Sequence, residues 1–437
     1  MRWTNASVHR FAGHTKDPIE KMEAAARGLA LSAIDLGWSG PPFDPLKLAE
    51  LLGYDVEARD DVSEARVLYQ ESGKYKIEFN PNRPPGRLSF SIAHEIAHTL
   101  FPDCKRRVRN RGLKTHDEPD DWQIEMLCNV GAAELLIPIA GVLPLQDKRV
   151  SIDELLNLRR TYHVSTEAVF IRLAKISSAS CAAFCASRVK VGTHAGSYRL
   201  DYVIPSRTWS DTLKSGMLVS AQSPVAQCVA IGFTVKGTDT PSSRPLDIEC
   251  VGLPPYPGQM TPRVAGVAWV KGAGDQDSCR ITYLTGNALT PVGNGPRIIS
   301  QIVNNRTTNW GGASFAAAVK RKWPEAHRRF VDIIESSNRS LLTLGATTEV
   351  PLEKDLTLVN IVAQHGYGPS EHPRLRYAAL KKGLDQLAGT AKRSKATVHM
   401  PRVGTGNAGG KWDVIKDLID DSLTRHGIPV TVYDLPE

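Results

Sequence analysis

Phe90-Ser-Ile-Ala-His94-Glu95-Ile-Ala-His98-Thr-Leu100 has the pattern of a buried helix with one polar edge. His94 and His98 are one helical turn apart, so both imidazoles can reach a single metal ion. Glu95 then lies beside that ion, where a carboxylate can take a proton from a bound water. The same spacing also fits a helix with two hydrogen-bonded histidines, so this stretch alone leaves both interpretations open.

A second helical pattern offers a candidate for the missing third ligand. It is the run Ile124-Glu125-Met-Leu-Cys-Asn129-Val-Gly-Ala-Ala-Glu134-Leu-Leu-Ile-Pro138, in which Glu125 and Asn129 are one turn apart. A catalytic zinc ion takes three protein ligands and keeps one position open for water. A carboxylate from this second helix would complete such a site.

Together the two runs resemble the ImmA/IrrE family of zinc metallopeptidases. The matching elements are the Phe-Ser-Ile-Ala-His-Glu-Ile-Ala-His run and the Glu-x-x-Cys-Asn-x-x-Ala-Ala-Glu-Leu-Leu-Ile-Pro run. The resemblance implies a zincin-like domain in which His94, His98 and Glu125 bind Zn²⁺ and Glu95 is the general base. It spans roughly residues 18 to 180 and lacks the N-terminal helix-turn-helix of some relatives, so we expect no direct binding to a DNA operator.

A strand and several side chains of such a domain are candidates for contact with the substrate. The strand before the first zinc helix, residues 75–79, is expected to form the cleft edge on which an extended peptide lies. Tyr69, Tyr75 and His116 are the candidates for stabilising the oxyanion. The protein substrate is expected to be a regulatory protein of the repressor or antitoxin type, by family analogy alone.

Length and composition limit the number of domains, the compartment and the kinds of partner that can be expected. The chain has 437 residues, seven cysteines and a formal net charge of +8, and its length predicts two or three domains. No apolar run reaches membrane-spanning length, and the N-terminus has no signal-peptide pattern. The cysteines form no Cys-x-x-Cys pair, which favours reduced packing residues in a cytoplasmic protein. The basic run from Lys105 to Arg111 has no interleaved aromatic residues, which favours a solvated loop over a nucleic-acid site.

The middle of the chain differs from both ends. Alternating runs at residues 198–204, 227–235 and 264–270, punctuated by glycine, proline and serine, predict strands of a β-rich domain. No His, Cys, Asp or Glu cluster there has metal or acid-base spacing, so a spacer or recognition role is predicted. The domain boundaries expected are 1–180, 181–274 and 275–437.

From Arg280 onward, strands alternate with helices, which predicts an α/β sheet with mixed edges. Two polar loops, Asn304–Gly312 and Gly404–Trp412, each join a strand to a helix. Glycines there let the backbone approach a ligand, and amides at a helix N-terminus suit phosphate oxygens. Two such loops at the ends of neighbouring strands predict a ligand with several phosphates.

Residues 280–437 resemble a macro domain of the ADP-ribose phosphoesterase-like and DNA ADP-ribosyl glycohydrolase-like branch. The runs that carry the likeness are Gly286–Pro291, Ile302–Asn305, Trp310-Gly-Gly, Val362–Gly366, Val398–Gly406 and Val430–Pro436. The resemblance implies binding of ADP-ribose, and it places at Lys320 a catalytic amine that can attack the anomeric carbon and form an imine. The binding residues it implies are Asn287, Asn304, Asn305, Trp310, Gly311, Gly312, Gln364, Gly404, Thr405, Gly406, Asn407, Ala408, Gly409 and Gly410.

Three positions depart from that family pattern. Asn287 stands where an aspartate is usual, Ala408 lies where some relatives place an aspartate, and the loop Gly311–Phe315 is one residue longer. An exposed helix lysine is the alternative interpretation of Lys320. Binding of ADP-ribose is therefore a firmer expectation than its removal from protein or nucleic acid.

The sequence as a whole predicts a multidomain protein of the α+β and α/β classes: a zincin-like metallopeptidase domain, a β-rich middle domain and an α/β macro domain with a mixed sheet. The expected function is that of a bifunctional hydrolase in stress or phage-conflict control. The alternative is a peptidase gated or targeted by a non-catalytic macro domain that only binds ADP-ribose.

Overall fold

The structure, a computed structural model, divides into two compact units. The first contains Met1–Ala33 and Trp38–Gln276, and the second contains Ile34–Gly37 and Asp277–Glu437. The residues that it describes are 3–13, 17–106, 109–110, 120–138, 149–177, 179–206, 208–241, 244–255, 260–270, 281–312, 314–368, 370 and 372–435. Within these ranges, every helix is too short or too polar to cross a membrane.

The first unit begins with a helical part and a small sheet. Its helices are α1 (Ala6–Ala12), α2 (Pro18–Asp35), α3 (Pro45–Leu51), α4 (Pro85–His98), α5 (Trp122–Leu136), α6 (Ile152–Tyr162) and α7 (Thr166–Ile176). The sheet has the order β1-β3-β2-β4, with β1 (Asp55–Ala58), β2 (Ala65–Tyr69), β3 (Tyr75–Phe79) and β4 (Arg109–Asn110).

Strand β3 is interior to this sheet. It pairs with β1 in parallel and with β2 in the antiparallel sense, so its backbone amides and carbonyls are already engaged on both sides. The prediction that the strand just before the first zinc helix forms an open cleft edge is therefore wrong.

Local sequence explains where several of these helices begin. The Asp44 carboxylate accepts a hydrogen bond from the Leu46 amide, and Pro45 occupies the first turn of α3. Ser151 and Glu154 form a capping box at the start of α6.

A second sheet follows in the same unit. It is fully antiparallel, in the order β6-β5-β9-β8-β7, and consists of β5 (Cys181–Arg188), β6 (Tyr198–Pro205), β7 (Thr234–Asp239), β8 (Leu246–Leu253) and β9 (Arg263–Val270), with the short helix α8 (Pro224–Gln227). Helices α6 and α7 pack against it. The boundary at residue 180 stays a prediction, because both sheets belong to one compact unit.

One predicted strand of this region is wrong. Residues 227–235 do not form a single strand, since α8 ends at Gln227 and β7 begins only at Thr234. Ser223 caps α8 and Pro224 fills its first position, a combination that favours a helical turn.

The second unit is built on a six-stranded mixed sheet in the order β10-β15-β14-β11-β13-β12. Its strands are β10 (Thr282–Thr285), β11 (Arg297–Asn304), β12 (Thr347–Glu353), β13 (Leu356–Gln364), β14 (Thr397–Pro401) and β15 (Val430–Asp434). Its helices are α9 (Phe315–Lys322), α10 (Pro324–Ser336), α11 (Tyr377–Ser394) and α12 (Trp412–Ser422). All pairings are parallel except that of β12 with β13. The predicted α/β class with a mixed sheet is confirmed.

Candidate functional site

Helices α4 and α5 pack closely against each other and carry the first candidate site. Gly131 of α5 permits this approach, because a Cβ atom there would lie 2.9 Å from the Cβ of Ala97 on α4. The far end of α5 is fixed by Glu134, whose carboxylate accepts hydrogen bonds from Arg172 at 2.9 Å and Arg27 at 3.1 Å. The site therefore stands on two helices with buried supports.

Two histidine nitrogens converge on one carboxylate between these helices. The Nε2 atom of His94 lies 3.1 Å from one oxygen of Glu125, and the Nε2 atom of His98 lies 3.4 Å from the other. Both histidines are only 1% exposed. Burial acts to raise the pKa of Glu125, but hydrogen bonds with His94 and His98 outweigh it and hold that pKa below its usual range.

The opposite ring nitrogens of both histidines face the following residues of α5. The Nδ1 atom of His94 lies 3.0 Å from Asn129 Oδ1, and the Nδ1 atom of His98 lies 3.2 Å from Cys128 Sγ. His94, His98 and Cys128 form a buried group whose donor atoms lie within 4.8 Å of one another. The sequence interpretation missed this role of Cys128, although its spacing of three residues from Glu125 places both on one helix face.

Glu95 is completely buried on the side of α4 that faces the first sheet. Its Oε2 atom accepts a hydrogen bond of 3.0 Å from the backbone amide of Val67 in β2. A strand amide thus fixes the direction of this carboxylate next to the two histidines.

The tyrosines considered as oxyanion donors form an aromatic cluster. Tyr75 lies between Tyr54 and Tyr69, with ring centroids 5.2 Å away in each case. The hydroxyl group of Tyr54 is hydrogen-bonded to Thr99, the residue that directly follows α4. Burial, followed by the nearby Cys104 thiol, raises the pKa of Tyr75 above its usual value. The third candidate, His116, lies outside the described residues.

A cleft of about 1160 Å³ opens in the second unit where β11, β13 and β14 end. Of the predicted ADP-ribose residues, those that line it are Asn304, Trp310, Gly311, Gln364, Gly404, Thr405, Gly406, Asn407, Ala408 and Gly409. Those that do not line it are Asn287, Asn305, Gly312 and Gly410, and Lys320 also lies outside the lining. Most of the predicted set is therefore brought to one cleft.

Residues outside the lining support the cleft walls. The side chain of Asn305 accepts a hydrogen bond from the Gly366 amide at 3.2 Å. A Cβ atom at Gly410 would lie 2.3 Å from Leu375, so this position of the loop needs glycine. Asn287 accepts from the Leu289 amide at 2.9 Å and thereby closes its own turn.

Arginines give the cleft a positive lining. Arg374 and Arg402 line it, and no aspartate or glutamate is found among its described lining residues. Arg402 forms a two-pronged ion pair with Asp434, with distances of 2.6 and 2.8 Å, whereas Arg374 donates to the carbonyls of His365 and Gly368. Sequence analysis missed both arginines, because neither belongs to a glycine loop. The lining suits an anionic ligand.

Lys320 lies on α9, whose first turn reaches the cleft. Ala316 lines the cleft, and Lys320 follows it by one turn on the same helix face. Helical side chains lean toward the helix N-terminus, which directs the lysine chain toward the Ala316 turn. Its neighbour Lys322 instead donates to the carbonyl of Leu289 at 2.7 Å.

Comparison with known proteins gives family likenesses for two parts of the chain. The family model of the IrrE N-terminal-like domain, Peptidase_M78, matches residues 49–174. A solved macrodomain protein from Streptomyces coelicolor is 35% identical to this chain, covers 36% of it and is itself covered to 99%, with a TM-score of 0.32. This chain belongs to the macrodomain family and also carries an IrrE N-terminal-like domain. The sequence predicts this domain at residues 275–437, and we use the name macrodomain for the second unit.

Two further relatives match a similar share of the chain. A structure of a protein of unknown function from Bacteroides thetaiotaomicron is 36% identical, with 36% of this chain and 98% of that chain covered and a TM-score of 0.34. The mouse protein Chromodomain-helicase-DNA-binding protein 1-like is 29% identical over 171 residues, which is 37% of this chain and 18% of the relative. This chain thus spans less than a fifth of that curated relative.

Proposed function

We propose that the IrrE N-terminal-like domain is a zinc-dependent peptidase with His94, His98 and Glu125 as ligands. The observation that supports this most is that both Nε2 atoms point at the two oxygens of one carboxylate. Two imidazoles and a carboxylate are a ligand set that catalytic zinc takes, with one position left for water. Cys128 fits less well as the third ligand, because it lies against Nδ1 of His98, on the other side of the ring from Nε2.

Glu95 is the general base of this proposal. A zinc ion held by the three ligands would lower the pKa of a water molecule and polarise a peptide carbonyl. The Glu95 carboxylate, oriented by the Val67 amide, takes a proton from the attacking water and passes it to the leaving amine. By family analogy, the substrate is a regulatory protein of the repressor or antitoxin type.

Metal content and cleavage, measured together, test this site. Glu95→Gln should keep zinc, measured by elemental analysis, and lose cleavage of a peptide library by about 10²- to 10⁴-fold, since only proton transfer is removed. Glu125→Ala should lose the zinc itself. Glu50→Gln, at an exposed side chain, is the control that should change neither. Cleavage that persists in Glu95→Gln would exclude Glu95 as the base, and full zinc retention in Glu125→Ala would exclude Glu125 as a ligand.

For the macrodomain we propose binding of ADP-ribose in the cleft of about 1160 Å³. The diphosphate would lie on the Gly404–Gly410 loop and the distal ribose against Asn304, Asn305 and the loop from Trp310 to Gly312. The positive lining and the glycines at 404, 406 and 409 that line the cleft support an anionic ligand held by main-chain amides. Lys320 would then attack the anomeric carbon and displace the modified protein or nucleic-acid group, which leaves with a proton. Water would hydrolyse the resulting imine, freeing ADP-ribose and regenerating the lysine.

One observation favours a second candidate function, a macrodomain that binds ADP-ribose without cutting it. The described cleft lining includes Ala316 but not Lys320, so the lysine has to extend by one helical turn to reach a ligand. Such a domain would recruit or gate the peptidase instead of removing ADP-ribose from protein or nucleic acid.

Release of ADP-ribose from a panel of modified substrates separates these two candidates. The panel comprises Ser-, Asp/Glu- and Arg-linked protein and base-linked DNA. If Lys320 is the nucleophile, Lys320→Ala should lower release by at least about 10²-fold, whereas Arg321→Ala, at the exposed next position, should not. Release unchanged in Lys320→Ala would exclude the lysine, and tight ADP-ribose binding with no release from any substrate would establish the non-catalytic function.

A further inference from the structure

Helix α5 does more at the proposed metal site than supply a carboxylate. Cys128 and Asn129 follow Glu125 by three and four residues, so all three side chains stand on one helical turn. Cys128 faces Nδ1 of His98 at 3.2 Å, and Asn129 faces Nδ1 of His94 at 3.0 Å. Every ring nitrogen that does not face Glu125 therefore meets a side chain from the same turn.

Metal binding through Nε2 determines what those two side chains must do. A neutral imidazole that gives its Nε2 lone pair to a metal carries its proton on Nδ1. That N–H group needs an acceptor, and the acceptor fixes both the tautomer and the orientation of the ring. An amide oxygen serves this purpose well, while a thiol sulfur is a weaker acceptor.

The surroundings of the two acceptors differ. Cys128 is fully buried and His98 is 1% exposed, so water cannot replace the sulfur if it is removed. Asn129 is exposed on the surface of α5, and water can take over part of its role. Although Cys128 is the weaker acceptor, we therefore expect its substitution to have the larger effect on zinc affinity.

We infer that Cys128 is a positioning residue that holds His98 in its metal-binding tautomer, and that Asn129 does the same for His94 with a smaller share. This inference rests on the proposed function, because it presumes that a metal ion binds at the Nε2 atoms. One turn of α5 then supplies the third ligand and both ring acceptors.

Zinc affinity of the full chain, measured by competition with a chelator, tests the inference. Cys128→Val keeps the packing volume but removes the acceptor, and we expect it to weaken zinc binding by about 10- to 100-fold. Cys128→Ser restores an acceptor and should bind zinc nearly as tightly as the wild type. Asn129→Ala should weaken binding by less than Cys128→Val, and Asn129→Asp should restore it.

Two further measurements separate positioning from other roles of the cysteine. Nitrogen NMR of labelled histidine in the zinc-loaded protein should show the His98 proton on Nδ1 in the wild type and in Cys128→Ser. Thermal unfolding of the metal-free proteins measures the stability cost of each substitution in the buried core separately from its effect on zinc affinity.

The outcomes that would overturn the inference are distinct. Equal zinc affinity in wild type and Cys128→Val would show that the sulfur has no positioning role. Loss of zinc in Cys128→Ser together with a thiolate-to-metal absorption band in the cobalt-substituted wild type would make Cys128 a ligand. A wild-type chain that binds no zinc would instead refute the proposed function itself.

Discussion

His399 is a buried histidine in the sheet of the macrodomain, 2% exposed, on β14. One ring nitrogen lies 3.0 Å from the Tyr433 hydroxyl group and the other 2.8 Å from that of Thr397. Burial, followed by the charge of Arg297, lowers the pKa of His399 to about 4. The folded state therefore keeps this ring neutral at a pH where the unfolded chain would protonate it.

This difference makes the stability of the macrodomain depend on pH. The unfolded chain binds the proton below its ordinary pKa of about 6.5 and the folded chain only near 4, so stability is full above pH 6.5 and falls as the pH is lowered. Between pH 7 and pH 5 the free energy of unfolding should drop by about 2 kcal/mol more in the wild type than in His399→Gln. Urea unfolding at the two pH values measures this drop in the free energy of unfolding. The control is His372→Gln, a substitution at an exposed histidine, which should give the same drop as the wild type. An equal drop in wild type and His399→Gln would contradict the assignment.

At the scale of residues, much of the proposed metal site follows from local spacing. Because one helical turn fixes the separation of His94 and His98, the sequence predicts their proximity without knowledge of the fold. The contact of Cys128 with His98 depends instead on the rotation of α5 against α4. That rotation is set by packing between segments distant in sequence, so it could not be predicted from spacing.

At the scale of elements, the contact between α4 and α5 rests on one glycine. A Cβ atom at position 131 would lie 2.9 Å from the Cβ of Ala97 and 3.0 Å from the sulfur of Met22. Gly131→Ala should therefore separate the two helices, lower the free energy of unfolding by about 1–3 kcal/mol and weaken zinc binding. Denaturant unfolding and chelator competition measure the two effects.

Gly28 provides a matched control for this substitution. It also lies inside a helix, α2, but a Cβ atom there would meet nothing within 4 Å. Gly28→Ala should stabilise the chain by about 0.5–1 kcal/mol, because alanine is the better helix former. If Gly131→Ala were equally stabilising, the close helix contact would not exist.

The elements that sequence analysis missed have identifiable causes. Helix α10 begins at Pro324, directly after α9 ends, because proline interrupts one helix but suits the first turn of a new one. The spacing of Ala326, Phe330 and Ile334, which are all buried, is the signal that could have revealed it. Strand β12 was also not predicted. It lies at the antiparallel edge of the sheet, where only one neighbour constrains its pattern.

For the whole molecule, the class of each half was easier to predict than its boundaries. Alternating strands and helices after Arg280 indicated a mixed α/β sheet, because parallel strands need long crossover connections that are visible in sequence. The limit between the IrrE N-terminal-like part and the β-rich part has no such signal. Helices α6 and α7 belong to the family match at residues 49–174, yet they pack on the second sheet.

Helix α5 has consequences for how this protein can evolve. Its fifteen residues include the proposed ligand Glu125 and the two proposed ring acceptors, Cys128 and Asn129. They also include Gly131, which allows α4 to pack closely, and Glu134, which is buried and hydrogen-bonded to Arg172. Ile124, Leu127 and Cys128 also belong to a hydrophobic core with Ala97 and Met22. Selection for metal geometry and selection for fold stability therefore act on the same short segment, which leaves it few positions where sequence can drift without loss of one or the other.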